Sequence, residues 1–248
     1  MKIGILGAAG RMGQMLVREV AAGQGIALAG AADMAGHAAI GKDAGQLAGL
    51  SPLGVVITQD VATLFATSDV VIDFTLPAAT AAHVKRAAET KTPIVIGTTG
   101  LGPAETKAIT EAAASVAIVQ APNMSLAVNL LLALTRKAAS VFDDSYDVAI
   151  SEMHHRHKVD APSGTALALR DAVETGGRKR DEITMTAIRA GDLAGEHSVF
   201  FIGEGEQLAL THEATSRSVF ARGAVHAARW VLNQPPGRYG MQDVLGLD

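Results

Sequence analysis

The sequence predicts an α/β protein: an N-terminal domain on a parallel sheet, then a C-terminal α+β domain with a mixed or antiparallel sheet. Three observations carry that expectation. Through the first half of the chain, short apolar runs alternate with alanine-rich helical stretches. Strands covered on both faces by crossover helices require such runs. A glycine-rich segment, Gly7 to Gly13, closes the first apolar run and opens the first helical one. After Ser125 the alternation stops, and two apolar runs flank Gly203-Glu204-Gly205-Glu206, a connection of hairpin type.

Taken in order, Lys2–Leu6 reads as a buried strand, Met12–Ala22 as a helix and Ile26–Ala32 as the second strand. Further strands are expected at Val55–Thr58, Val70–Phe74, Ile94–Ile96 and Val116–Gln120. Helices fall between them at Val61–Ala66, Ala78–Glu89 and Pro103–Ala114, the last with proline where a first helical turn tolerates it. Residues 1–125 form the first domain and 126–218 the second. In the second, Leu126–Val141 is a long, mostly apolar helix, Asp147–Met153 a strand and Thr165–Val173 a helix. A polar loop, Thr175 to Asp181, precedes the strand candidates Ile183–Arg189, Ser198–Ile202 and Gln207–Thr215. Arg222–Leu232 is a final helix before a tail beginning at Pro235.

Composition narrows the function classes. Apolar residues make up 48% of the 248 and charged residues 19%, ordinary for a chain with a real core. Aromatics are only 4%, so packing relies on close approach of small residues. A net charge of −4 argues against a general nucleic-acid surface. With no cysteine, disulfides, thiolate metal sites and cysteine nucleophiles are excluded. Met1-Lys2 runs straight into the first strand without a signal-peptide layout. The most apolar segment, Leu126 to Leu134, is interrupted by Asn129 and falls short of a membrane span of roughly 20 residues. The expectation is a cytoplasmic protein that engages no membrane.

Gly7-Ala8-Ala9-Gly10-Arg11-Met12-Gly13 sits between the first strand and the first helix. Glycines there permit a tight turn and let backbone N–H groups approach a pyrophosphate at the helix N-terminus. The spacing is G-x-x-G-x-x-G, a variant of the usual dinucleotide fingerprint, and taken alone it marks only a packed turn. Asp33 lies 20 residues beyond Gly13, at the end of the second strand, where a ribose-binding acid belongs. Together they predict a Rossmann-like domain. Met34 offers no cation for a 2′-phosphate, although Arg11 compensates in part. NADH is therefore expected to serve at least as well as NADPH.

The stretch from Glu152 to Ala166 holds the second reactant. It gathers His154, His155, Arg156, His157 and Lys158, then offers Ser163-Gly164-Thr165 as a helix start. Such a cationic run predicts a small polyanion as ligand, and histidine can move a proton near neutral pH. His154 and His155, adjacent on a strand end, point to opposite sides, whereas His155 and His157 share a face. A metal site is disfavoured, because Arg156 and Lys158 oppose a cation and no compact helical ligand pair exists. A solvated basic surface is the plain alternative. Ser163 reads as an N-cap whose helix-start N–H groups can hold a carboxylate, and it lacks the elbow of a nucleophilic serine.

These blocks resemble the 4-hydroxy-tetrahydrodipicolinate reductase (dihydrodipicolinate reductase) family. The matching residues are Gly7 to Gly13, Asp73-Phe74-Thr75, Gly97-Thr98-Thr99-Gly100, Ala121 to Ser125, Glu152 to Ala166, Arg189 to Asp192 and Gly195-Glu196-His197. The resemblance implies reduction of a small cyclic dicarboxylate by NADH or NADPH in lysine and diaminopimelate biosynthesis. It implies His154 and Lys158 as proton donors, with His155, Gly164 and Thr165 as substrate ligands. It implies cofactor contacts at Gly7, Ala8, Ala9, Gly10, Arg11, Met12, Asp33, Gly97, Thr98, Thr99, Ala121, Pro122, Asn123 and Met124. It also implies that residues 219–248 complete the nucleotide domain and that the assembly is a homotetramer. Hinge closure near Asn123 to Leu126 is expected, since the two reactants are assigned to different domains.

Two rivals remain at this point. Another Rossmann dehydrogenase with a carboxylated substrate is one, although neither Tyr146 nor Tyr239 has the lysine four residues on that a short-chain dehydrogenase needs. A non-enzymatic NAD-binding module explains Gly7 to Gly13 and Asp33 but gives the cationic run no purpose.

Overall fold

The computed structural model describes residues 1–247, which fall into two compact units. The first comprises Met1–Met124 and Phe220–Gly246, and the second Ser125–Val219 with Leu247.

Strands β1 (Lys2–Leu6), β2 (Ala27–Ala32), β3 (Ile57–Thr58), β4 (Val70–Asp73), β5 (Ile94–Ile96) and β6 (Ala117–Gln120) build the first sheet. A seventh, β11 (Gly237–Tyr239), returns from the end of the chain, giving the order β11-β6-β5-β4-β1-β2-β3. Every pairing is parallel. Ile3, Ile5, Val70, Val71, Ile72, Ile94, Val95 and Ile96 are fully buried, as strands covered on both faces must be. The helices that cover them are α1 (Arg11–Ala22), α3 (Val61–Thr67), α4 (Pro77–Thr90), α5 (Pro103–Ala112) and α8 (Ser218–Val231). Each turns an apolar stripe inward, such as Leu16, Val17 and Val20 of α1.

Two differences from the expected elements have clear causes. The Val55–Thr58 strand shrinks to Ile57–Thr58, because Val55 spends its carbonyl on Ala44 N–H (2.8 Å) and Asp43 pairs with Val56. Asp43 also caps the short helix α2 (Ala44–Leu47) and accepts from Leu53 and Gly54 N–H. The tail after Pro235, which shows no strand pattern, becomes β11 by pairing with β6, followed by α9 (Met241–Leu245).

The second unit carries a mixed four-stranded sheet, ordered β10-β9-β7-β8. Its strands are β7 (Asp147–His154), β8 (Ile183–Arg189), β9 (Gly195–Gly203) and β10 (Glu206–Ala214). β7 and β8 run parallel, joined through α7 (Gly164–Thr175), while β7–β9 and β9–β10 are antiparallel. β9 and β10 are longer than their apolar runs because the two-residue turn Glu204-Gly205 aligns them over nine residue pairs. Helices α6 (Leu126–Val141) and α7 lie on one face, burying Leu131, Leu169 and Val173 against Val148, Ile150, Val199 and Phe201. Full burial of each such side chain is worth about 1.5–3 kcal/mol. Asn129, the polar break in α6, is satisfied by donating its amide to Ser125 O at 2.8 Å.

Candidate active site

Each unit presents a cluster of functional side chains. In the first, β1 ends at Leu6, and Gly7 adopts φ +75°, a conformation that favours glycine. Gly7 and Ala8 donate to Ala32 O at 2.9 and 3.1 Å, which holds the loop against β2. A Cβ on Gly13 would lie 2.1 Å from Gly7 O, so only glycine lets α1 pack this closely on the loop. Gly10 caps α1 without a side chain, and no acidic residue occupies its first turn. The first turn of α1 thus sets no carboxylate of its own against the positive end of the helix dipole, which favours an anion. Asp33 braces the same loop, accepting Ala9 N–H on Oδ2 and its neighbour Met34 N–H on Oδ1, both at 2.8 Å.

The adjoining turns meet in a cleft of 460 Å³ lined by Arg11, Met12, Phe74, Thr75, Gly97 to Thr99, Pro122 to Met124 and Phe220. Its shape depends on Asp73, which is fully buried at the end of β4. Asp73 Oδ1 accepts Thr75 N–H (2.9 Å), Thr75 Oγ1 (2.6 Å) and Thr98 Oγ1 (3.4 Å), while Oδ2 pairs with His83 Nδ1 at 2.8 Å. A Cβ on Gly97 would lie 2.2 Å from the Phe74 ring, so a larger residue there would displace that ring. Of the residues expected to contact a dinucleotide, Arg11, Met12, Gly97, Thr98, Thr99, Pro122, Asn123 and Met124 share this cleft. Gly7, Ala8, Ala9, Gly10 and Asp33 form the loop described above, and Ala121 is buried. Phe74 and Thr75 belong to a turn the sequence marks, whereas nothing in the sequence points to Phe220.

In the second unit the site grows out of the core. Residues of β7 alternate, so Val148, Ile150, Glu152 and His154 occupy one face. The first two pack beneath α6 and α7, and the last two continue the same buried face as a polar pair. Cross-strand register brings in the remaining members: His197 on β9 lies opposite Glu152, and Arg189 on β8 lies beside His154. Arg189 makes a fork to Glu152, Nη1 to Oε2 at 2.9 Å and Nη2 to Oε1 at 2.6 Å. His154 Nδ1 bonds Glu152 Oε2, and Ser163 N–H reaches Oε1 at 3.1 Å. Ser163 Oγ caps α7 through Ala166 N–H (3.2 Å) and meets His197 Nε2 at 3.1 Å. The His154 and His197 rings stand edge to face with centroids 5.0 Å apart.

Electrostatics follow from that packing. Burial alone would push the Glu152 carboxyl up, but Arg189, His154 and Ser163 together hold it below the usual carboxylate range. Burial lowers His154, Glu152 pulls it partly back, and Lys158 and Arg189 lower it further. Burial, reinforced by His154, drives His197 down to about 4, so at neutral pH it is an uncharged ring. The expected cationic cup therefore encloses a carboxylate, because a strand face this deep cannot hold bare positive charge. Lys158 is likewise paired, with Asp160 at 2.8 Å. His155 Nε2 lies 3.3 Å from Arg217 Nη2, while Arg156 and His157 are exposed. Gly164 and Thr165 open α7, which has no acidic residue in its first turn.

His154, His155, Lys158, Gly164 and Thr165 thus sit where the sequence places them, around the end of β7 and the start of α7. Glu152, Arg189, His197 and Arg217 are neighbours of that cluster to which sequence reasoning gave no role. The available signal was a charged residue in register with an apolar strand face, since a buried Glu152 demands a cation. Glu152, His154 and His197 offer ligand atoms within 4.8 Å of one another, a spacing open to a metal ion. The Arg189 guanidinium on both Glu152 oxygens opposes that use.

Comparison with known proteins bears on both units. Residues 1–124 match the family model for the dihydrodipicolinate reductase N-terminus, and residues 127–245 match that for its C-terminus. The 4-hydroxy-tetrahydrodipicolinate reductase of Alkalilimnicola ehrlichii is 48% identical, the match covering 99% of each chain. That of Magnetococcus marinus is 46% identical over 99% of this chain and 98% of its own. Among solved structures, a dipicolinate-bound dihydrodipicolinate reductase from Paenisporosarcina sp. TG-14 superposes with a TM-score of 0.81 at 27% identity, covering 99% of both chains. An amine dehydrogenase from Mycobacterium smegmatis shares the fold at 13% identity and a TM-score of 0.66, covering 95% of this chain and 94% of its own.

Proposed function

Because this chain belongs to the dihydrodipicolinate reductase family, we propose that it reduces 4-hydroxy-tetrahydrodipicolinate to tetrahydrodipicolinate with a reduced pyridine nucleotide. The observation that carries the reading is a buried, carboxylate-backed histidine beside a helix start, on a chain that also holds a glycine-shaped anion cradle.

In this reading the loop from Gly7 to Met12, Asp33 and the turns 97–99 and 121–124 hold the nucleotide, which supplies hydride when bound. The Gly13 cradle and the uncapped start of α1 fit a pyrophosphate. Asp33, fixed by two backbone N–H groups, presents its remaining acceptor capacity to a ribose. Met34, 64% exposed, brings no charge to a 2′-phosphate, so NADH serves at least as well as NADPH.

His155, Gly164, Thr165 and the nearby Arg217 bind the carboxylates of the substrate. Helix-start N–H groups and cations both favour negative charge, and two such anchors orient the ring. His154 delivers the proton that quenches electron density left after reduction, with Lys158 as a second donor. A positioned proton donor of this kind is worth roughly 10²–10⁴ in rate. The reading carries a cytoplasmic location; no helix among the described residues is long and apolar enough to cross a membrane. It also carries a homotetramer. Supporting that assembly, the sheet face away from α6 and α7 presents Met153, Thr184, Thr186, Ile188, Phe200 and Ile202, with Ile188 and Ile202 exposed, beside the carboxylates of Asp147, Glu196 and Glu213.

The test is oxidation of NADH, then of NADPH, in the presence of the condensation product of pyruvate and aspartate semialdehyde. Turnover with kcat/KM for NADH equal to or above that for NADPH is expected. Nucleotide binding without turnover would replace the enzyme by a binding module, and a strong NADPH preference would overturn the reading of Asp33 and Met34.

A further inference from the structure

We infer that Glu152 is a positioning residue that fixes, with one carboxylate, both the ring tautomer of His154 and the start of α7. The inference rests on the proposed proton-donor role of His154.

Four donors converge on the two oxygens of Glu152. Oε2 receives His154 Nδ1 and Arg189 Nη1, and Oε1 receives Arg189 Nη2 and the backbone N–H of Ser163. An ionised carboxylate offers about four acceptor sites and no donor, so this one is saturated. His154 Nδ1 must then be the donor. The neutral ring carries its proton on Nδ1, Nε2 is left bare, and the proton gained on ionisation sits on Nε2. When that proton leaves for the substrate, the ring returns to the neutral Nδ1–H form, and Glu152 never changes its own protonation.

Gly195 keeps the working edge of the ring accessible. A Cβ there would lie 2.8 Å from His154 Nε2 and 3.2 Å from Cδ2, on the site a proton acceptor needs. The backbone at Gly195 has φ +150°, which side-chain-bearing residues rarely adopt. On its other oxygen, Glu152 pins Ser163, whose hydroxyl caps α7. The donor ring and the helix start are thus referred to the same anchor, which ties proton delivery to substrate orientation. The charged or titratable groups facing His154 are Glu152 from β7, Arg189 from β8, neutral His197 from β9 and Lys158 from the following loop.

The experiment is ¹⁵N NMR of His154 in the full-length protein, wild type and Glu152→Gln, together with kcat against pH. In the wild type, neutral His154 is expected as the Nδ1–H tautomer. In Glu152→Gln the amide nitrogen takes the Oε2 position, which has fewer fixed donors than Oε1, and donates to Nδ1. That drives neutral His154 to the Nε2–H form. It also removes the charge favouring the ionised ring, so kcat falls at least ~10²-fold, its fall with rising pH begins at lower pH, and nucleotide affinity is unchanged. Glu152→Asp should recover part of the rate. An Nε2–H tautomer in the wild type overturns the inference even if the variant does not fold, as does an unchanged tautomer or an unshifted pH profile in Glu152→Gln. A wild type that binds nucleotide yet fails to turn over defeats the functional reading and leaves the tautomer result standing.

Discussion

Acidification should loosen the four-stranded sheet through His197. This side chain is 4% exposed, its Nδ1 has no hydrogen-bond partner among the described residues, and the ring of His154 stands against it. Burial first, then His154, lowers it from 6.5 to about 4. A histidine lowered in the native state takes up its proton preferentially when unfolded. Stability is therefore complete above the unfolded value of 6.5, declines as pH falls toward 4, and levels off once both states are protonated. At about 1.4 kcal/mol per pH unit, that window is worth ~3 kcal/mol. Exchange of the Val199 and Phe201 backbone amides, corrected for intrinsic rates, would report it at about pH 7 and about pH 4. In His197→Gln, which keeps a hydrogen-bonding group beside Ser163, the acid loss should shrink by that amount. Carboxylates such as Glu152 contribute equally to both proteins and cancel. Equal acid losses in the two proteins would refute the reasoning.

Gly13→Ala should abolish nucleotide binding, because the added methyl meets backbone atoms of Gly7 and Ala8 that cannot swing aside; calorimetry showing wild-type affinity would remove the cradle from the account. Its effect should stay in the first unit, leaving exchange protection of Val199 and Phe201 intact. Sedimentation should give four times the 25.5 kDa chain mass, and Ile188→Lys, with Ile202→Lys added, should dissociate the assembly. A wild type that sediments as a monomer would exclude the outward sheet face as its interface.

Much of the architecture was legible because the physics that sets it is local. The bounds of β1 and β5 coincide with apolar runs cut off by glycine or proline, and those of α6 and β8 with the expected segments Leu126–Val141 and Ile183–Arg189. The β9–β10 hairpin follows from Gly205 at φ +82° between two apolar runs. What escaped depends on partners distant in sequence. Gly237–Tyr239 has no strand signature and becomes extended only because β6 offers an edge. Arg189 lies 37 residues from Glu152 and meets it only through the parallel register of β7 and β8. His197 arrives through the antiparallel register of β7 and β9. The histidine run drew attention to its charge, yet burial decides its chemistry, and burial shows only in Val148 and Ile150 sharing a face with Glu152 and His154.

The return of β11 to the edge of β6 bears on how a ribosome delivers this molecule. Residues 125–219 are spliced into the first unit, whose sheet stays one strand short until residues 237–239 emerge. Meanwhile β6 exposes unpaired backbone groups, and the buried face of α8, from Ala221 to Val231, has not yet been made. The inserted segment needs nothing beyond residue 219 for its own sheet, so the order of translation lets it consolidate first. Chains stalled behind a C-terminal linker, so that residue 219 has left the ribosome and residue 237 has not, should accordingly shield Val199 and Phe201 from exchange while Ile118 remains open.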